Sequence, residues 1–155
     1  MSEETKDFAG SYYRAESGFE AHRVIEAWQL TFNLGCVLKY VCRAGLKPSA
    51  AATNDIDKAL DYIDFELDFY SRIMSGEEQV FPFEAGFRLS SKSAVRSPSH
   101  IDVGEAWGLD SLKIDVLRLI SSASMRHIAG DYIGATRALE DLIPLVLEVK
   151  ASVQV

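Results

Sequence analysis

An internal repeat constrains the fold of this chain more than any other feature of its sequence. When the 155-residue chain is aligned with itself at an offset of 79 residues, ten of the 38 positions from 26 to 63 are identical to their counterparts, without a gap. Average residue usage would give about two or three identities. The identical positions include Glu26-Ala27-Trp28 with Glu105-Ala106-Trp107, and Val37-Leu38 with Val116-Leu117. The repeat predicts two related units that bury their apolar faces against each other.

Apolar residues in both repeats recur at the three- and four-residue spacing of an amphipathic α-helix. In the first repeat this spacing predicts three helices. The second should begin after Thr31 and end at Gly45, and the third should have Thr53 or Asn54 as its N-cap and run to about Ile73. The same spacing returns beyond residue 100. We therefore expect an all-α helical bundle built from two related three-helix units.

Glycine, proline and serine interrupt the helical pattern between residues 75 and 99. This stretch is interpreted as a linker or functional loop between an N-terminal unit, 1–74, and a second unit, 100–155. The two units are expected to share one compact domain. The predicted core comprises Trp28, Leu34, Val37, Leu38, Val41, Leu60, Ile63, Trp107, Val116, Leu117, Ile120 and Leu139.

Composition excludes several classes of function. A net charge of −7 argues against binding along duplex nucleic acid, which needs a broad basic face. The sequence has no apolar run of about 18 residues and no signal-peptide pattern, so it predicts a cytoplasmic protein that does not bind membranes. Cys36 and Cys42 have no partners at metal-ligand spacing, which predicts buried free thiols and no metal site.

Basic residues nevertheless gather in one short stretch of this acidic chain. Lys39 and Arg43 lie one helical turn apart, and Lys47 follows the predicted end of that helix. The next helix returns antiparallel and brings Asp55 and Lys58 close to them. Such a cluster favours an anion site, because Arg and Lys donate well to phosphate oxygens. Compensation of the helix dipole and surface ion pairing are the alternative explanation from the residues alone.

The order of these residues resembles the signature of a phage-encoded nucleotide kinase-like family of the T7-like phages. The matching residues are Gly35, Lys39-Tyr40, Arg43-Ala44-Gly45, Lys47, Asp55, Lys58-Ala59 and Tyr62. The resemblance covers about residues 11–70. The chain departs from the family pattern at Ser11, where the family has His before Tyr12, and at Cys36 and Asp61, where it commonly has Asn and Trp.

The resemblance implies phosphoryl transfer onto a nucleoside monophosphate, with ATP and Mg²⁺ as cofactors, in the cytoplasm of a phage host. Lys39, Arg43 and Asp55 would then be catalytic. The substrate-binding residues would be Tyr12, Tyr40, Lys47, Lys58 and Tyr62. The chain lacks a G-x-x-x-x-G-K-[ST] loop, so a kinase of this kind would depend on its Lys/Arg cluster.

Two other functions stay open at this point. The missing His and Asn favour a protein that sequesters a linear or cyclic nucleotide without chemistry, as an anti-defence protein would. Alternatively, the acidic stripe of Asp57, Asp61, Asp64 and Asp68 could hold Mg²⁺ in an all-α nucleotide pyrophosphatase, although a solvated face explains the stripe more simply.

The second repeat keeps three basic positions of the motif and changes the others. Lys39, Lys47 and Lys58 correspond to Arg118, Arg126 and Arg137, whereas Tyr40, Arg43, Asp55 and Tyr62 become Leu119, Ser122, Gly134 and Asp141. We therefore expect this half to have lost the site and kept the scaffold. We also expect self-association into a homo-oligomer through apolar helix faces.

Overall fold

The computed structural model describes residues 20–46, 51–77 and 98–153. All the regular elements in these ranges are helices. They are α1 (Ala21–Ala27), α2 (Phe32–Arg43), α3 (Ala52–Met74), α4 (His100–Trp107), α5 (Ser111–Ile128) and α6 (Tyr132–Val153). The predicted all-α class is therefore confirmed. None of the described helices is long and apolar enough to cross a membrane.

Side chains that cap backbone N–H groups fix the starts of several helices. The Thr31 hydroxyl accepts a bond from the Leu34 amide at the start of α2, and Asp110 does the same for the Lys113 amide at the start of α5. Ser99 and Asp102 form a reciprocal capping box at the start of α4. Helix α2 ends at Arg43 with Ala44 as its C-cap, two residues before the predicted end at Gly45, whose φ of 87° is one that glycine adopts most easily.

Four long helices form the centre of the molecule. Helices α2 and α3 pack together as one hairpin, α5 and α6 pack as a second, and the hairpins meet through α3 against α6 and α2 against α5. Helix α1 packs on α2, and α4 packs on α5. One continuous apolar core runs through both hairpins. Packing against this core therefore fixes the relative positions of α2 and α3.

Most of the predicted core is buried, with two differences. Leu60 and Trp107 are only partly buried, at the margin of the core, while the other ten predicted residues are buried. The predicted start of α3 was wrong, because its N-cap is Ala51 and not Thr53 or Asn54. Starting the helix two residues earlier places Asp55 inside the protein, where it contacts Arg43. That tertiary contact outweighs a capping preference of about 1 kcal/mol.

Candidate functional site

Three basic side chains from two helices surround the ring of Tyr40. Lys39 Nζ lies 4.9 Å from the ring centroid, Arg43 Cζ lies 4.8 Å from it, and Lys58 Nζ lies 5.5 Å from it. All three distances fall within the range of cation–π attraction, about 6 Å. We call Lys39, Tyr40, Arg43 and Lys58 the Tyr40 cluster. The convergence predicted from the spacing of Lys39, Arg43 and Lys58 is present.

The geometry of the α2–α3 hairpin produces this convergence. Lys39 and Arg43 are four residues apart near the C-terminal end of α2, so they project from the same side of the helix. Helix α3 returns antiparallel after the turn, and Lys58 is in its second turn. Like charges brought this close repel one another unless anionic groups balance them. The Tyr40 cluster therefore brings three basic groups together on one hairpin of a protein whose net charge is −7.

One charge of the Tyr40 cluster is balanced inside the protein. The Arg43 guanidinium donates to Asp55 Oδ1, and these side chains are only 3% and 0% exposed. The pair joins the C-terminal end of α2 to the first turns of α3. Burial of both charges is tolerated because each desolvated group faces the other. Arg43 and Asp55, both predicted to be catalytic, thus form a buried ion pair.

Lys58 differs from Arg43 in its surroundings. It is exposed and forms no ion pair with any residue in the described ranges. Lys39, on α2, is partly buried beside the same ring. The two ammonium groups give the Tyr40 cluster a positive surface that solvent reaches through Lys58. Point charges on flexible stems suit binding of phosphate oxygens.

A continuous group of aromatic rings extends from Tyr40 across the same hairpin. Tyr62 stacks on Tyr40 with ring centroids 6.0 Å apart and an interplanar angle of 21°. Phe32 and Phe65 contact Tyr62 edge-on, at 5.9 Å and 5.5 Å between centroids. We call Phe32, Tyr40, Tyr62 and Phe65 the aromatic strip. Phe32 is 76% exposed and Phe65 is 56% exposed, so the far end of the strip offers ring surface to solvent.

Phe32 and Phe65 were missed in the sequence, although a signal for them exists. Phe32, Cys36 and Tyr40 recur every four residues along α2, and Tyr62 and Phe65 are three residues apart on α3. Aromatic residues on one face of two antiparallel helices are expected to meet. Both phenylalanines lie on the surface, outside the predicted core.

The buried Cys36 thiol lies beneath the aromatic strip. Burial raises the pKa of Cys36, against the opposing effect of the Lys39 charge and a hydrogen bond with Tyr62. The proximity of Cys36 in turn raises the pKa of Tyr62, and partial burial adds to the effect. Both groups are therefore protonated at neutral pH. Tyr62 keeps its hydroxyl proton, and its ring stays uncharged next to the cations.

The remaining predicted site residues divide into two groups. Tyr12 and Lys47 lie outside the described residues. The acidic stripe of Asp57, Asp61, Asp64 and Asp68 is exposed along α3, where Asp57 pairs with Lys150 at 2.7 Å and Asp68 with Arg72 at 2.9 Å. Within the described ranges, no three His, Cys, Asp or Glu side chains are grouped as a metal site would require. The stripe has the character of a solvated helix face.

Comparison of the chain with protein-family models, curated proteins and solved structures gives no significant match. The interpretation of the site therefore depends on its geometry and on the motif in the sequence.

Proposed function

We propose that this chain binds a nucleotide at the Tyr40 cluster and the adjoining aromatic strip. The observation that carries the proposal is the meeting of Lys39, Arg43 and Lys58 around one tyrosine ring that stacks on a second. The ammonium groups supply charge for phosphate oxygens, and the exposed ring faces supply a surface on which a base stacks. The resemblance to the phage nucleotide kinase-like family supports the same assignment.

Binding without turnover fits this geometry better than phosphoryl transfer. A kinase of the resembled family would use Asp55 to hold Mg²⁺ or orient the acceptor, and Arg43 to stabilise the phosphate. Both side chains are instead enclosed and neutralise each other. Their role in our proposal is to fix the hairpin that presents Lys39 and Lys58. The chain then acts as a nucleotide-sequestering protein of the anti-defence kind, and neither ATP nor Mg²⁺ is a required cofactor.

We also propose that the two hairpins derive from a duplicated unit. Helices α4, α5 and α6 begin 79, 79 and 80 residues after α1, α2 and α3. A contact between the first two helices of each unit supports the relation. Ile25 on α1 packs against Gly35 on α2, and at the offset of 79 residues Gly104 on α4 meets Ile114 on α5. The isoleucine is on the first helix of one unit and on the second helix of the other, and in both units it packs against a glycine.

Isothermal titration calorimetry of the purified chain against mono-, di-, tri- and cyclic nucleotides tests the proposed binding. Replacing Lys39 and Lys58 together with alanine should weaken nucleotide binding about a hundredfold or more, since each charge-assisted contact contributes about 1.5–3 kcal/mol. Arg72→Ala is the matched control. Arg72 is on the same helix as Lys58, 14 residues away and hence about 21 Å along the axis, and should leave affinity unchanged.

Substitution of the aromatic strip separates base recognition from phosphate recognition. Phe65→Ala should weaken binding of a nucleotide about 5- to 150-fold, the range for loss of one base–aromatic stack, without changing binding of inorganic phosphate. Equal affinity of the wild-type chain for all nucleotides and for buffer anions would refute a nucleotide site.

Recovery of the ligand distinguishes capture from catalysis. The protein is incubated with a nucleotide, in the presence and absence of ATP and Mg²⁺, and then denatured by heat. Chromatography should return the ligand unchanged. Formation of a diphosphate would restore the kinase assignment, and magnesium-dependent release of pyrophosphate would restore the pyrophosphatase. Self-association stays a prediction, and light scattering with and without ligand measures it.

A further inference from the structure

The second half of the molecule contains a polar cavity that the Tyr40 cluster does not use. It has a volume of about 440 Å³ and lies between α5 and the first turns of α6. This is within the range of about 300–1,000 Å³ typical of small-molecule sites. The polar side chains that line it are Arg118, Ser122, Arg126, Asp131, Arg137 and Asp141.

The three arginines of the cavity stand at the positions that carry lysines in the first half. At the offset of 79 residues, Arg118, Arg126 and Arg137 match Lys39, Lys47 and Lys58. Arginine offers planar, forked donors that match phosphate oxygens in pairs. The second half therefore retains the basic positions of the motif in the form best suited to binding an oxyanion.

Smaller residues stand at the two positions of the second half that correspond to the ion pair of the first half. Where the first half has the buried Arg43–Asp55 pair, the second half has Ser122 and Gly134, and both line the cavity. A third cavity residue, Leu119, replaces Tyr40. The side chains of Asp131 and Arg126 occupy the space beside Gly134, where an added Cβ would collide with them. The recess therefore opens beside Ser122 and Leu119, with the arginines around it. The substitutions that suggested loss of the site in the sequence are those that open this recess.

The three arginines of the cavity differ in how closely a carboxylate balances their charge. Arg126 donates to Asp131 at 3.0 Å, while Asp131 also accepts from the Gly134 amide as the cap of α6, and these contacts lower the pKa of Asp131. Arg118 lies at 3.7 Å from Asp115, with both side chains about half exposed. Arg137 forms no ion pair with any residue in the described part of the chain. Two guanidiniums, those of Arg118 and Arg137, thus retain donors for a ligand.

We propose that this recess is a second binding site, distinct from the Tyr40 cluster, that takes the adjacent phosphate groups of a polyphosphorylated ligand. Arg118 and Arg137 contact the phosphate oxygens, and the Asp131 pair holds Arg126 at the edge of the site. Among the described residues that line the recess, none has an aromatic side chain. The recess therefore recognises phosphates and not a base. We call Arg118, Arg126 and Arg137 the arginine site.

Inorganic pyrophosphate is the probe, because it carries adjacent phosphates and no base. Calorimetry of the full chain should show saturable binding of pyrophosphate. The affinity should fall about tenfold or more in Arg118→Ala and in Arg137→Ala. Without ligand, both variants should have the same melting temperature as the wild type. Arg137→Lys, which keeps the charge and loses the fork, should bind with intermediate affinity. The Lys39/Lys58 double alanine variant should keep the pyrophosphate binding that depends on Arg118 and Arg137, which separates this site from the proposed nucleotide site.

A refilled recess gives a second test. Ser122→Leu places a larger, uncharged side chain in the recess at the position of Arg43, and should abolish the pyrophosphate binding that depends on the arginine site while nucleotide binding at the Tyr40 cluster persists. Phenylglyoxal labelling read by mass spectrometry should show that pyrophosphate protects Arg118 and Arg137, but not Arg72.

Four results would overturn the proposal. The first is the absence of binding by the wild-type chain at millimolar pyrophosphate. The second is equal binding by the wild type and the arginine variants. The third is loss of pyrophosphate binding in the Lys39/Lys58 variant alone, which would place the only phosphate site at the Tyr40 cluster. Binding of pyrophosphate and inorganic phosphate with equal affinity would show a single-phosphate site and contradict the adjacent-phosphate ligand.

Discussion

Replacing Asp55 with leucine leaves the Arg43 guanidinium buried without its carboxylate. The Arg43 side chain is 3% exposed and the Asp55 side chain is fully buried, so water cannot take the place of the lost partner. Removal of one member of a buried pair costs about 3–5 kcal/mol. For a domain of this size each kcal/mol lowers the melting temperature by about 2–4 °C, so Asp55→Leu should melt roughly 6 to 20 °C below the wild type.

The companion substitutions separate the cost of an orphaned charge from the contribution of the pair. Arg43→Met should destabilise by a similar amount, because it leaves Asp55 buried alone. The Arg43→Met/Asp55→Leu double variant buries two apolar side chains of suitable volume and should recover most of the loss. Arg72→Ala breaks the Arg72–Asp68 pair, which is 2.9 Å long but exposed, and should cost less than about 1 kcal/mol.

Urea denaturation followed by circular dichroism measures all four variants. The midpoints should shift while the slope of free energy against urea stays constant, since the same surface is exposed on unfolding. A double variant as unstable as the sum of its singles would refute our reasoning, because independent losses would mean that the two charges do not depend on each other. A loss below about 1 kcal/mol in either single variant would do the same, by placing the pair in water.

Three further predictions follow from other contacts. Thr31→Val removes the cap of α2 and the hydroxyl that donates to Glu66 Oε2 at 2.8 Å, and should lower the free energy of unfolding by about 1–3 kcal/mol. Asp110→Ala removes only an exposed cap and should lower it by about 1 kcal/mol. Urea denaturation measures both variants. Burial raises the pKa of Cys42 from 9.0 to about 12, so the folded chain keeps a proton that the unfolded chain releases. The stability due to this thiol is complete below pH 9 and falls as the pH rises towards 12. Cys42→Ala should therefore reduce the decline in the free energy of unfolding between pH 9 and 11, measured in urea, by up to about 1.4 kcal/mol per pH unit. Gly104→Ile should strongly destabilise the protein, because the new side chain collides with Ile114. Adding Ile114→Gly should restore much of the lost stability, because it recreates the Ile25–Gly35 contact of the first unit. A double variant no more stable than Gly104→Ile would contradict the duplication.

Local signals in the sequence were enough to predict the helices, and the differences arise where tertiary contacts decide. Periodicity located every described helix, and Thr31 with Gly45 marked the ends of α2. The start of α3 was misplaced because the preference of Thr53 and Asn54 for N-caps is a local property, whereas the position of Ala51 depends on packing. A contact between Arg43 and Asp55, 12 residues apart, pulls the first turns of α3 onto α2.

The candidate site shows the same division between local and tertiary information. Spacing predicted that Lys39, Arg43 and Lys58 would converge, since one helical turn and one short hairpin determine their positions. Spacing did not distinguish a cation available to a ligand from one neutralised inside the protein. That distinction depends on solvent exposure, which is 3% for Arg43, while Lys58 is exposed.

The two hairpins use the same helical positions in opposite ways. The first half fills the space between its helices with an ion pair and a stacked ring, so its positive charge is displayed on the surface beside the aromatic strip. The second half has Ser122 and Gly134 at the ion-pair positions, and its arginines line a recess. Filling the space favours rigidity, since an interior at crystal-like density resists rearrangement. The second half has no buried ion pair at these positions, and in our proposal a ligand makes the contacts that the open part of the recess leaves unmade. The physical contrast between the halves therefore supports two different ligand groups, a base with its phosphate at the Tyr40 cluster and adjacent phosphates at the arginine site.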